Sequence, residues 1–184
     1  MNEGTIASRY AKALLAYATE NGAGEKVYSQ ACSLMRTMEE VPLMREVLTR
    51  RRDLSACKRR EVLAMALGCS PAHELDRFIC LLETNSRMEF FDRMLWSFIH
   101  QYRKANNIKV GHLVTAYDAS DLKERMEKDF AARTGADVRI EAKQDPDIIG
   151  GFIFDMDGKL IDASVRSRFR ILRKELIDTD KRII

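Results

Sequence analysis

The sequence contains no apolar run approaching the roughly 18 residues of a membrane-spanning helix. Its opening lacks the form of a secretion signal: residues 6 to 18 are alanine-rich, but Arg9 and Lys12 interrupt them and no basic leader precedes them. These absences predict a soluble chain. Cysteine is sparse and unpaired in pattern. Cys32, Cys57, Cys69 and Cys80 form no Cys-x-x-Cys step, and no histidine stands at ligand spacing beside them, so we expect reduced, mostly buried thiols and no zinc site. Phosphate loops are missing too. Gly150-Gly151 lacks the further glycines or the lysine of a nucleotide cradle and is better explained by a bulge or a close backbone approach at a strand start. Charge of one sign is scarce: 31 basic and 28 acidic residues leave a formal +3, a weaker bias than nucleic-acid binders usually carry.

What is present suffices for a folded chain. At 184 residues, with 46% hydrophobic and 32% charged residues, the length fits one large domain or two small ones. Up to Asn107 the apolar period is helical, with breaks at Asn21-Gly22, Pro42, Ser55, Gly68 to Pro71 and Asn85-Ser86, which gives six candidate helices. In the first, Ile6, Tyr10, Ala13, Leu14 and Tyr17 lie on one stripe, beside a second, small-residue face of Ala7, Ala11 and Ala18. Asn21-Gly22 reads as its C-terminal stop. Ser70-Pro71 reads as a cap with proline at the first helical position of helix five. Ser86 with Glu89 reads as a capping box opening helix six, whose apolar face runs from Phe90 to Tyr102. Short connections favour an antiparallel bundle.

After Asn107 the period changes. Residues 108 to 117 read as a strand, 122 to 134 as a helix stopped by Gly135, and Val138, Ile140 and Ala142 as one face of a second strand. Phe152, Phe154 and Met156 alternate up to Asp157-Gly158, a two-residue hairpin signal that pairs Met156 with Lys159 and Phe154 with Ile161. A last helix from about Ser164 carries Val165, Phe169, Leu172 and Leu176 on one side. The fold class is therefore α+β: an antiparallel bundle of about six helices over 1–105, then a small β-α-β-β-α domain over 106–184.

Few residues suggest chemistry. Asp155 and Asp157, within a hydrophobic strand followed by Asp-x-Asp-Gly, resemble the first motif of haloacid-dehalogenase-type phosphatases, where the first acid is a nucleophile and the second an acid or base working with magnesium. Lys159 stands in place of that motif's threonine, and the residues after Asp162 are too few to supply the rest of such a site, so a wet hairpin tip is the better account. His73, His100 and His112 are scattered and read as surface or capping residues. Arg50-Arg51-Arg52 and Lys58-Arg59-Arg60 form a basic cluster that would serve a small nucleic-acid-binding regulator, but without interleaved aromatics it reads more simply as a solvated helix end. Arg166, Arg170, Arg173 and Lys174 give the last helix a basic side on which an acidic partner would relieve like-charge repulsion.

Three segments together resemble one family. They are Arg9-Tyr-Ala-Lys-Ala-Leu14, Asn85-Ser-Arg-Met88, and Gly150-Gly151 followed by Asp162-Ala-Ser-Val-Arg166. They are similar, over the whole chain, to the δ subunit of bacterial F-type ATP synthase, the counterpart of the mitochondrial oligomycin-sensitivity-conferring protein. Gly150, Gly151, Asp162, Ser164 and Arg166 carry the signature, with Ala163 where glycine is frequent. The resemblance implies a non-catalytic stator subunit without cofactor or metal, peripheral to the cytoplasmic face of the bacterial inner membrane. It implies an α-subunit N-terminal helix bound between helices one and five by Ile6, Tyr10, Ala13, Leu14, Tyr17, Phe78, Leu81 and Leu82. It further implies a C-terminal domain that receives the b-subunit coiled coil, with Arg166, Arg170, Arg173 and Lys174 as contacts.

Overall fold

The computed structural model describes residues 3–50 and 56–180. They divide into two compact units, Met1–Ala105 and Asn106–Ile184. Among the described residues the first unit holds α1 (Glu3–Glu20), α2 (Gly24–Glu40), α3 (Pro42–Arg50), α4 (Ala56–Leu67), α5 (His73–Thr84) and α6 (Phe91–Ala105), with a 3-10 turn at Met88–Phe90.

Helix α6 is the axis of this unit. Phe91, Met94, Leu95, Phe98 and Ile99 are all buried, a spacing that keeps one broad apolar face inward. Against that core lie Ala7, Ala11, Leu14 and Ala18 of α1, at intervals of four, three and four residues. The alanine side of α1 is thus its inner face, and small residues there let the backbones approach closely. The Tyr10 stripe, apart from Leu14, is the outer flank. Asn21-Gly22 ends α1 as the sequence implies: Gly22 has φ +66°, its N–H donates to Thr19 O at 3.1 Å, and Ala23 N–H donates to Ala18 O at 2.9 Å, a Schellman closure.

Two expected helix starts are placed differently. Helix α5 begins at His73, with Ala72 as its N-cap, and Ser70-Pro71 lies before it. The turn is held instead by buried Gln30 on α2, whose Oε1 accepts from Ala72 N–H at 2.7 Å while Nε2 donates to Ser70 O at 3.1 Å. Those bonds cross about forty residues of chain, beyond the reach of any local cap signal. Ser86 does not open α6. It closes α5 in a left-handed conformation (φ 55°), with Ser86 N–H donating to Glu83 O at 2.9 Å and Arg87 N–H to Leu82 O at 2.8 Å. A stop signal had the composition of a start signal.

The second unit contains β1 (Ile108–Thr115), α7 (Ser120–Thr134), β2 (Asp137–Gln144), β3 (Phe152–Met156), β4 (Lys159–Asp162) and α8 (Val165–Asp180). The sheet order is β2-β1-β3-β4, with β1 parallel to β2 and the other neighbours antiparallel. The β3–β4 hairpin pairs Met156 with Lys159 and Phe154 with Ile161, as the two-residue turn requires. Its core is small: Leu113, Val138, Ile140 and Phe154 are buried beneath Leu122, Met126 and Phe130 of α7, and the Phe130 and Phe154 rings stack at 5.2 Å. On helix α8 Phe169 and Leu172 are exposed, with Ile171 beside them, so the apolar side is left uncovered by this chain; the side chain of Leu176 lies outside the described residues.

Candidate partner-binding surfaces

The helical unit exposes several large apolar side chains, Val41, Leu43, Met65 and Trp96 among them, and a flank of α1 and α5 carries others. Tyr10 and Ala13 of α1 reach it, Tyr17 is 36% exposed, and Leu81 of α5 is 48% exposed. Ile6 is half-buried at the N-terminal end and packs on the core. Tyr10 and Phe78 meet edge to face, with ring centroids 6.5 Å apart, which joins the two helices at the surface. Leu14, Phe78 and Leu82, expected with them, are 2%, 5% and 0% exposed and lie beneath the outer residues.

Arg87 is a member of this site that periodicity did not indicate. Its Nη1 donates to the Tyr10 hydroxyl at 3.2 Å, and its guanidinium lies 5.3 Å from the Tyr10 ring centroid. The two residues are 77 positions apart and have no shared spacing to betray them. A separate apolar cavity of about 580 Å³, lined by Ala7, Met35, Met38, Pro42 and Trp96, shares no residue with the Tyr10 flank.

The alternative chemistries find little support. Arg59 is buried and paired with Glu83 at 2.6 Å, and Arg60 with Asp76 at 2.8 Å, so this part of the basic cluster is spent on internal acids instead of facing a phosphate backbone. Arg51, Arg52, the break at Ser55 and the side chains of Arg50 and Cys57 lie outside the described residues. Asp157 sits in the hairpin turn, paired with Lys109 at 2.9 Å, and Asp155 lies on a strand antiparallel to both neighbours. His100 packs edge-on against Trp96, and His112 lies 3.6 Å from Glu141. Among the described residues no cluster of three or more His, Cys, Asp or Glu side chains could hold a metal ion. Cys69 is exposed, contrary to the expected burial of the thiols, while Cys32 and Cys80 are partly buried.

In the second unit the family signature forms one joint. Val165 N–H donates to Gly150 O at 2.9 Å, and Ala163 N–H to Phe152 O at 2.9 Å, laying the start of α8 across the start of β3. Gly151 has φ +74°, and a Cβ there would sit 2.2 Å from Ala163 O, so a side chain is excluded by contact as well as by conformation. Ser164, 1% exposed, caps α8: its Oγ accepts from Ser167 N–H at 3.2 Å. Asp162 accepts from Ser164 N–H at 2.9 Å and from the Ser167 hydroxyl at 2.6 Å. Gly150, Gly151, Asp162 and Ser164 therefore aim α8, while the exposed Arg166 takes no part in the joint's hydrogen bonds given above. Arg166, Arg170, Arg173 and Lys174 are exposed, next to the uncovered Phe169, Ile171 and Leu172.

This cap makes α8 sensitive to acid. Hydrogen bonds from the Ser164 side chain, then from Ser167 and the Ser164 backbone, hold the Asp162 carboxyl down at about 2, from 3.8. A depressed carboxylate contributes its stability in full above the unfolded value and loses it as pH falls through the folded one. The second unit should therefore weaken between about pH 4 and pH 2, and Asp162→Asn should flatten that part of the curve. Denaturant midpoints measured across the window for both proteins check this; equal slopes would contradict it.

A helical bundle followed by a small mixed sheet with helices, carrying exposed apolar side chains in both units, defines an α+β chain of two units. The family model for the ATP synthase delta (OSCP) subunit matches residues 6–176, and the chain belongs to that family of non-catalytic peripheral-stalk subunits. It is 34% identical over 182 residues to the ATP synthase subunit delta of Phocaeicola vulgatus, covering 98% of each chain. It is 32% identical to that of Bacteroides fragilis over the full length of both. A chain in the cryo-EM structure of the Toxoplasma gondii mitochondrial ATP synthase hexamer has the same fold, with a TM-score of 0.62 at 20% identity, covering 96% of this chain and 98% of that one.

Proposed function

We propose that the chain joins the catalytic head of ATP synthase to its membrane-anchored b subunits, resisting rotation, at the cytoplasmic face of the bacterial inner membrane. The unit over 1–105 takes the amphipathic N-terminal helix of an α subunit on the flank formed by Ile6, Tyr10, Ala13, Tyr17 and Leu81. The unit over 106–184 takes the C-terminal end of the b coiled coil along α8, where basic and apolar side chains alternate. No helix among the described residues is long and apolar enough to cross a membrane, which fits attachment through partners.

One observation carries the reading: α1 buries its alanine side and leaves an aromatic stripe outside, backed by Phe78. A helix that needed only its own bundle would not require two tyrosines there. Torque loads the joint at every cycle, so it needs slow dissociation. Buried apolar contact supplies that, whereas rim charge mainly sets the association rate. Titration of the full chain with a synthetic N-terminal peptide of the α subunit from the same source should give saturable binding with the peptide becoming helical. Absence of binding at peptide concentrations far above micromolar would remove the assignment.

A further inference from the structure

We propose that the flank between α1 and α5 selects an acidic helix, and that Arg87 is the residue that reads its charge. The inference rests on the flank being the partner site and adds the chemistry of the occupant. Three cations border the apolar stripe. Arg87 lies against Tyr10; Arg9 is exposed one turn before Ala13; Arg77 is exposed one turn before Leu81. None of the three has an ion pair among the described residues, whereas Arg59 and Arg60 are engaged by Glu83 and Asp76. Those pairings use up two acids of α5. Of the nearby acids, Glu20 is exposed one turn beyond Tyr17 at the far end of the stripe, Glu74 of α5 is buried one turn before Phe78, and Glu89 is exposed two residues beyond Arg87, so Arg87 is the cation held directly on Tyr10.

Arg87 is suited to the task because it is already held. The ring face and hydroxyl of Tyr10 orient a planar group that carries five N–H donors, one of them used at Tyr10. Its partial burial removes some of the solvent screening that makes exposed pairs weak, and little side-chain entropy remains to be lost when a carboxylate arrives. An incoming helix with carboxylates flanking its apolar stripe is attracted and set in register at this end. A helix with lysines there is repelled, so the same border excludes wrong partners.

The test uses the full chain and two probes: the synthetic α-subunit N-terminal peptide from the same source, and the same peptide with every Asp and Glu replaced by Asn and Gln. The neutral peptide should bind about tenfold more weakly and with a shallower salt dependence. Arg87→Gln should weaken the natural peptide about fivefold and leave the neutral one nearly unchanged, a coupling that general loss of packing would not produce. Equal losses for both peptides, no loss for either, or a natural peptide without carboxylates beside its stripe overturns the proposal. If the natural peptide binds tightly but ignores charge, the charge selection fails and the site stands; if it does not bind the wild-type chain at all, both fall.

Discussion

Tyr10→Asp should abolish measurable docking of the proposed α-subunit helix while the chain stays folded. Tyr10 occupies the centre of the outer stripe, supported below by Phe78 and beside by Arg87. Central aromatic anchors of this kind cost about 2–4 kcal/mol when truncated, a loss of roughly 30- to 1,000-fold in affinity. Aspartate adds a desolvation penalty, because the partner would have to cover a carboxylate with apolar side chains. Part of that penalty could be relieved by Arg87, so Tyr10→Ala is the cleaner measure of the lost ring and Tyr10→Asp the more complete break. Tyr10 is partly buried against the core, so each variant's stability is measured beside its binding. Isothermal titration with the peptide, beside thermal melts of each variant, checks the result. An unchanged Kd for Tyr10→Asp would remove Tyr10 from the interface.

The contrast between α1 and α8 explains what could be read from the residues in advance. In α1 the aromatic and alanine stripes were both visible, since period alone defines them. Which one faced the core was not, because that depends on how closely α6 approaches, and α6 lies some eighty residues on. In α8 the apolar side was visible and its burial was not. Nothing in Phe169 or Leu172 says whether the surface that covers them belongs to this chain. The hairpin register was fully legible because a two-residue turn determines it locally. Local chemistry misled at Ser70-Pro71 and Ser86, where capping residues were present but the backbone bonds were satisfied through Gln30 or by a left-handed closure. Arg87 stands in the Asn85-Ser-Arg-Met88 segment that the resemblance marks, but its contact with Tyr10 was hidden for the same reason as that of Gln30: it joins distant segments. Family resemblance located Gly150-Gly151 and Asp162-x-Ser164 but not their work, which the geometry assigns to aiming α8.

That assignment gives the largest expected loss of stability. Replacing Gly151 by alanine forces a left-handed φ on a residue with a side chain, costing about 1–2 kcal/mol. It also drives a Cβ to within 2.2 Å of Ala163 O, a backbone atom that cannot rotate aside. Relief requires the segment before α8 to lift from β3, which lengthens the Ala163–Phe152 and Val165–Gly150 bonds and disturbs the Ser164 cap. Together these put the cost at about 3 kcal/mol or more, a large part of what a unit of this size has to spare. Gly22→Ala is the matched control: its φ is +66°, but a Cβ there meets nothing within 4 Å, so it should cost only the conformational term and act on the helical unit. Hydrogen exchange in the full chain separates the two. Gly151→Ala should accelerate exchange at Ala163 and Val165 and abolish b-subunit binding while leaving the α-peptide affinity intact; Gly22→Ala should leave those amides unchanged. If Gly151→Ala melted no earlier than Gly22→Ala, the close approach would not be what requires glycine, and the signature would have to be explained by a partner seated on it.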